Sequence, residues 1–474
     1  MIMKKRILLL TMICLFPLLA GGQALKGSYF SEMSVLRNKM NPAFVPRSSY
    51  LTIPVIGNTG FGISGNVGLS NFLYPAGDGS LQTFLHPDVS SATFLGKLPA
   101  NPHLDIDVDT DIFNVGFFTG PKSFWSIGLG VKVDGEVNLP KSMFAFLKNG
   151  AETDPQTYNI RNLSVIANAY AELSVGYSHD MSDLVKGLSI GGRVKLLAGL
   201  GRGDLRVNNL DLTMSSDVWN VRADATGYLM LKGMDVYKTG DRQYGSRFDS
   251  SQIGLAGMGA AMDLGAEYRL YINGFFDYIK FSAAVTDLGF LSFSSKAVQK
   301  FQTSGNVEYT GVNDIQLGQD MNLQETFNGI KDQFLEILDL QEAAAEKVTS
   351  RIRPQLFVGV ELPILWDNMC VGLLYNAKFG YTSTRNELTL ALNARPKDWI
   401  NFGVNYSMLN TWKSLGWILE FIPKSGVGFF IGSDYFMLQR AKLPVGESSL
   451  AILPVNQANF NLRFGFHIAM GKNY

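Results

Sequence analysis

From Phe460 to Met470 the chain alternates without a break. Phe460, Leu462, Phe464, Phe466, Ile468 and Met470 hold every second position, with Asn461, Arg463, Gly465 and His467 among the residues between them. A two-residue period is that of a β-strand with one apolar and one polar face. It recurs upstream, where Trp125, Ile127, Leu129, Val131 and Val133 alternate with Ser126, Gly128, Gly130 and Lys132. Two folds accommodate such strands. A soluble sandwich turns the apolar face inward, whereas a transmembrane barrel turns it outward to lipid and lines its lumen with the polar face.

The connections decide between them. Sixteen candidate strands run from 59–70 to 457–470, and every long connection falls at one end: 71–104, 138–160, 232–253, 294–351 and 438–456. The opposite end has short turns such as "TGPKS", "NGFFD" and "RPKD", rich in the residues that tight turns need. An up-and-down membrane barrel has this asymmetry, and a sandwich has no cause for it. Trp125, Trp219, Trp366 and Trp399 lie in or beside the short turns, where a membrane interface would hold their rings. The composition agrees: 49 glycines, 12% aromatic and only 17% charged residues suit glycine-rich strands and fit no helical bundle. The 41 basic and 41 acidic residues cancel, so no nucleic-acid partner is expected.

The first residues set the compartment. "KKR" (Lys4 to Arg6) precedes the apolar "ILLLTMICLFPLLA" and the small-residue "GGQA", which reads as a secretory signal over 1–24, cleaved after Gly22 or Ala24. Removal leaves one cysteine, Cys370, and hence no internal disulfide. No later apolar run reaches the roughly 18 residues of a spanning helix. An exported chain of this kind crosses a membrane with strands, here over 51–474.

No catalytic arrangement stands out. "GLSIG" (Gly187 to Gly191) has the spacing of a nucleophile elbow but opens a strand, and His86, His103, His179 and His467 lack metal-ligand spacing. "GLGRG" (Gly199 to Gly203) reads as a tight hairpin. The chain is not expected to be an enzyme. "DIDVDTD" is more pointed: Asp105, Asp107, Asp109 and Asp111 share one strand face, which must avoid lipid. A β-bulge near Ile112 reconciles it with apolar Phe113, Val115 and Phe117. Pairing across "TGPKS" then sets Asp111 beside Lys132, and Asp109 and Asp107 beside Asp134 and Glu136. Such crowding calls either for a cation, Ca²⁺ or another, or for cationic side chains such as Arg193 and Lys195.

Two long connections carry helical patterns. One holds Phe327, Ile330 and Phe334, the other Met143, Phe144, Phe146 and Leu147 before a glycine stop. The last strand, with Arg463, Gly465, Phe466 and Ile468, resembles the C-terminal signal by which the outer-membrane assembly machinery recognises its clients.

"NKMNPAF" (Asn38 to Phe44) resembles the Asn-Pro-Ala element of FadL-type transporters and the related PorV-type barrels. "AAMDLGAEYRL" and "FSAAVTDLGFLSF" resemble the paired Asp-Leu-Gly strands of that superfamily. The whole looks most like a Bacteroidota family of outer-membrane barrels of unknown function. The resemblance implies fourteen strands and an inward-tucked hatch over 25–50, with Asn41, Pro42 and Ala43 in its turn; the plain alternative is a periplasmic segment there, in which Pro42 only stops regular structure. It also implies that helical outer loops frame a groove for a lipid-like ligand, which places Phe144, Phe146, Leu147, Phe327, Ile330 and Phe334 there; the alternative is that these helices pack on the rim. The expected fold is therefore an all-β, up-and-down transmembrane barrel of 14–16 antiparallel strands in the outer membrane. Its expected work is passive uptake or binding of a small hydrophobic molecule. Alternatives are a PorV-like anchor for a secreted-protein partner, or an open diffusion pore.

Overall fold

The computed structural model describes residues 25–54, 56–77, 81–150, 155–215, 218–240, 243–272, 277–303, 306–310, 335, 337–364, 368–409, 412–436, 440–445, 449–454 and 458–470. Among them, fourteen antiparallel wall strands close on themselves. They are β1 (Tyr50–Thr52 and Thr59–Gly65), β2 (His103–Gly120), β3 (Ser123–Asn138), β4 (Gln156–Asp180), β5 (Leu188–Met214), β6 (Gly257–Tyr271) and β7 (Tyr278–Phe293). The circuit continues through β8 (Gln355–Ile364), β9 (Met369–Phe379), β10 (Thr384–Lys397), β11 (Ile400–Leu409), β12 (Trp412–Phe421), β13 (Gly426–Ser433) and β14 (Phe460–Ala469). Each pairs with the next, and β14 returns to β1 through Leu51↔Ile468 and Phe61↔Leu462. Closure leaves no sheet edge, which a bilayer would not tolerate.

The wall is inside out relative to a soluble protein. On β5, Arg193 and Lys195 are buried while Val194 and Leu196 are each 64% exposed. On β14, Arg463 and His467 are buried while Phe466, Ile468 and Met470 are exposed. Water would penalise that arrangement, and lipid outside a polar interior rewards it. Val194→Arg is therefore expected to cost about 2–4 kcal/mol in urea unfolding from lipid vesicles, as a cation on the bilayer-facing side does. An unchanged midpoint would mean that this face is wet.

Sixteen candidates become fourteen for a specific reason. The residues 187–199 and 203–214 are one strand, because Gly199–Gly203 runs straight through β5 with a register shift opposite Ala169/Tyr170 instead of turning back. The extra residue keeps Arg202 inward beyond the glycines, which masks the strand's continuity. The candidate 218–231 is Val218–Met230, which pairs with the far half of β5 outside the barrel wall. Losing two strands together preserves the parity of the connections, so the long ones still share one end.

At that end β4 and β5, with 25 and 27 residues, far outrun the roughly 9–11 that cross a bilayer. Their projecting halves join Val218–Met230, Val298–Thr303 and Leu340–Ala343 in a sheet outside the barrel. Against it pack α1 (Ser91–Lys97) and α2 (Lys141–Asn149), sharing a core that includes Phe84, Phe94, Ile160, Leu210 and Leu212. Trp219 belongs here, with its ring 6.4 Å from that of Phe146, and not to the short turns. Trp125 and Trp399 do sit at the short-turn end on the lipid side. There Trp125 packs 4.8 Å from Tyr177, and Trp399 leads a ladder through Phe421, Phe429 and Phe466. Trp366 lies outside the described residues.

Candidate functional site

Residues 25–49 fill the short-turn half of the lumen. A 3₁₀ turn, Lys26–Phe30, and a single helical turn, Arg37–Met40, are almost wholly buried. Such a plug must satisfy its own polar groups, and the wall supplies the partners. Tyr29 Oη lies 3.0 Å from Ser282 Oγ, Ser31 donates to Glu420, and Arg193 donates to the Asn38 carbonyl at 3.0 Å. The rings of Tyr29 and Phe30 lie over Gly359 and Gly372, where a side chain would collide with them.

Asn41, Pro42 and Ala43 lie on a floor made by two glycines directly opposite each other, Gly191 of β5 and Gly265 of β6. A Cβ on Gly191 would stand 2.2 Å from the Pro42 oxygen, and one on Gly265 would stand 2.0 Å from Asn41 Oδ1. Asn41 Nδ2 donates to the Ala266 carbonyl at 3.1 Å, its Oδ1 accepts from Ala43 N at 2.9 Å, and Ser178 donates to the Pro42 carbonyl. The last glycine of "GLSIG" is thus a seat for the plug. The plug's far end is fixed outside the wall strands by Arg47, which donates to the Asp398 carbonyl at 2.9 Å and to its carboxylate at 3.2 Å. That second bond holds the Asp398 carboxyl below the usual carboxylate range.

Above the plug a cavity of ≈ 140 Å³ is bounded by Leu36, Lys39 and Met40 below and by charged wall residues around it. The four β2 aspartates are neutralised side chain by side chain. Asp105 is bound by Arg353 at 3.2 Å and by Arg385; Asp107 by Arg353 and by Lys378 at 2.5 Å; Asp109 by Arg463; Asp111 by Lys39 and by Asn58 at 3.0 Å. Arg353 also reaches Asp134 at 3.3 Å, and Tyr381 donates to Asp134 at 2.7 Å. The positive charge that the sequence demands is thus supplied by the chain. Among the described residues no group of three or more acidic, His or Cys side chains is arranged to hold a metal ion.

Two details differ from expectation. The bulge does fall between Asp111 and Phe113, but a second one, between Phe118 and Gly120, moves the register again. Asp109, not Asp111, therefore faces Lys132, while Asp107 faces Asp134 and Asp105 faces Glu136. Arg193 and Lys195 do not serve the β2 acids: they pair with Asp263 at 3.1 and 2.8 Å, and Lys195 also with Asp287 at 2.6 Å. Arg353, Lys378, Arg385 and Tyr381 were not anticipated. The available signal was that an inward base needs an inward acid, but period alone does not say which strands face each other.

The groove residues separate as well. Phe144 and Phe146 are each 3% exposed, inside the core of the projecting domain, and Leu147 packs against it. Phe327, Ile330 and Phe334 lie outside the described residues. On β14, Arg463 points inward and donates to Asn58 at 2.6 Å, Gly465 abuts Gly57, and Phe466 and Ile468 face lipid.

A family model matches residues 42–434, most of the chain and nearly all of the barrel. The chain belongs to a family of unknown function (DUF5723). No curated protein matches it. Among solved structures it is similar to the toluene transporter TodX of P. putida, at 9% identity over 93% of this chain and 95% of that one, with a TM-score of 0.42. It is similar to the Ralstonia pickettii toluene transporter TbuX at 10% identity over 93% and 94%, TM-score 0.41. A third likeness is the translocator domain of the autotransporter NalP from Neisseria meningitidis, at 9% over 94% and 98%, TM-score 0.33.

Proposed function

We propose that this family member is an outer-membrane barrel for passive uptake or binding of a small hydrophobic molecule, which leaves through the wall and not along the axis. The axis is a poor route for such a solute, since a plug fills its lower half and paired charges line the space above. The observation that supports the wall is an interruption between β1 and β2. Their ladder runs through Leu51↔Val115 and resumes only at Thr59↔Thr110. Across the interruption Asp111 N donates to the Asn58 carbonyl at 2.9 Å, Asn58 Nδ2 to Asp111 at 3.0 Å and Thr52 Oγ1 to the Asn114 carbonyl at 3.1 Å, while Ile53 and Ile56 keep backbone bonds to Phe466 of β14. Outside this gap stand exposed Ile56, Ile112 and Phe113; inside it, Asp111 and Asn114 border the cavity. A short lateral step would join cavity to lipid there.

The test locks the gap. In a Cys370→Ser background, Asn58→Cys with Asp111→Cys places two thiols across it. Entry of the neutral dye N-phenylnaphthylamine into vesicles carrying this barrel is expected to fall to the barrel-free background on oxidation and to recover on reduction. Equal entry in both states would overturn the wall route.

The anchor reading draws on a different observation, the folded domain at the long-loop end with its own core. Native mass spectrometry of gently extracted protein separates the two: a retained lipid-sized mass supports uptake, and a retained protein supports the anchor.

A further inference from the structure

The plug begins in a buried electrostatic cluster that is one positive charge short. Leu25 is 1% exposed and borders the lumen cavity. Beside it two carboxylates are buried, Glu387 at 2% and Asp434 at 0% exposure. Lys26 is the one cation bonded to either of them among the described residues, with its Nζ 2.6 Å from Glu387 and 2.5 Å from the Tyr435 hydroxyl. Asp434 takes neutral donors: the backbone N–H of Lys26 at 2.8 Å, that of Gly27 at 3.2 Å and the Asn461 amide at 3.4 Å. Arg385, the next base on β10, is engaged by Asp105. The other acids that line the cavity, Asp107, Asp109, Asp111, Asp134, Glu172 and Asp287, each meet at least one base. Two buried carboxylates on one ammonium are costly unless a second cation is near.

The chain itself can provide that cation. The nitrogen of Leu25 is one peptide unit from the Lys26 N–H that already contacts Asp434. We propose that signal processing falls after Ala24 and that the new α-ammonium of Leu25 is the second cation of the Lys26–Glu387–Asp434 cluster. In the processing step water adds across the Ala24–Leu25 peptide bond, leaving a carboxylate on Ala24 and an amino group on Leu25 that takes up a proton.

Two measurements on the full-length protein purified from membranes test this. N-terminal sequencing with intact mass is expected to give Leu25 as the first residue; a start at Gln23 or elsewhere would overturn the assignment. The second measurement reads a sign. With the ammonium present the cluster is neutral, so Glu387→Gln leaves an excess cation and should lower the midpoint of heat-dependent gel mobility. Without it, the same change relieves an excess carboxylate, and a midpoint equal to or above the parent's would overturn the proposal. Asp434→Asn should shift the midpoint in the same direction as Glu387→Gln, and a rise there would count equally against it.

Discussion

A Gly191→Val barrel is expected to conduct ions in planar bilayers where the parent stays closed. The substitution suits the wall, since a β-branched residue favours a strand. It does not suit the plug. The new Cβ would meet the Pro42 carbonyl at 2.2 Å and the Ala43 nitrogen at 2.5 Å, backbone atoms that cannot swing aside as a side-chain tip can. Gly265→Val strikes the same turn from the facing strand, at Asn41 Oδ1. Each should unseat the Asn41–Ala43 turn while the barrel still closes, because no wall hydrogen bond depends on it. Conductance should rise by about tenfold or more, toward that of an open lumen of this strand number. Deleting residues 25–47 supplies the reference for a fully unplugged barrel. If the deletion conducts and Gly191→Val does not, the glycine floor is not what keeps the plug in place.

The second large effect is expected at Arg353. Its guanidinium, 4% exposed, is shared by Asp105, Asp107 and Asp134. Arg353→Met fills much of the volume but removes the charge. Asp105 keeps Arg385 and Asp107 keeps Lys378, so the orphan is Asp134, left with the Tyr381 hydroxyl alone. Breaking a buried pair from one side typically costs about 3–5 kcal/mol, because the stranded charge stays desolvated. Urea unfolding in lipid vesicles should show a loss of that size. Adding Asp134→Asn to Arg353→Met should recover much of it, since the amide still accepts from Tyr381 and carries no charge. A double variant as unstable as the single one would show that Arg353 acts through packing.

The fold was far more legible in the sequence than the interior. Alternation on β14 stated which side chains point which way, and the parity of long and short connections stated the topology. Both are properties of one strand and its immediate neighbour. The misreading at Gly199–Gly203 shows where that logic fails, because a bulge inside a glycine run shifts the phase as a turn would. The interior depends on what lies across the lumen. Asp105 meets Arg385, and Asp111 meets Lys39 of the plug, through curvature that no local period encodes. The glycine seat was hidden for the opposite reason: Gly191 and Gly265 matter through the side chains they lack, and the pattern around Gly191 resembled a motif for other chemistry.

The acidic face of β2 has a consequence for chronology. Asp109 leaves the export machinery early, and its partner Arg463 follows 354 residues later on the closing strand. Once Lys132, opposite it on β3, is taken by Glu172 and Asp287, that carboxylate has no base of its own until β14 arrives, and water must keep it company. An unfinished barrel is for that reason a wet vessel, and its final strand both seals the wall and allows the interior to dry.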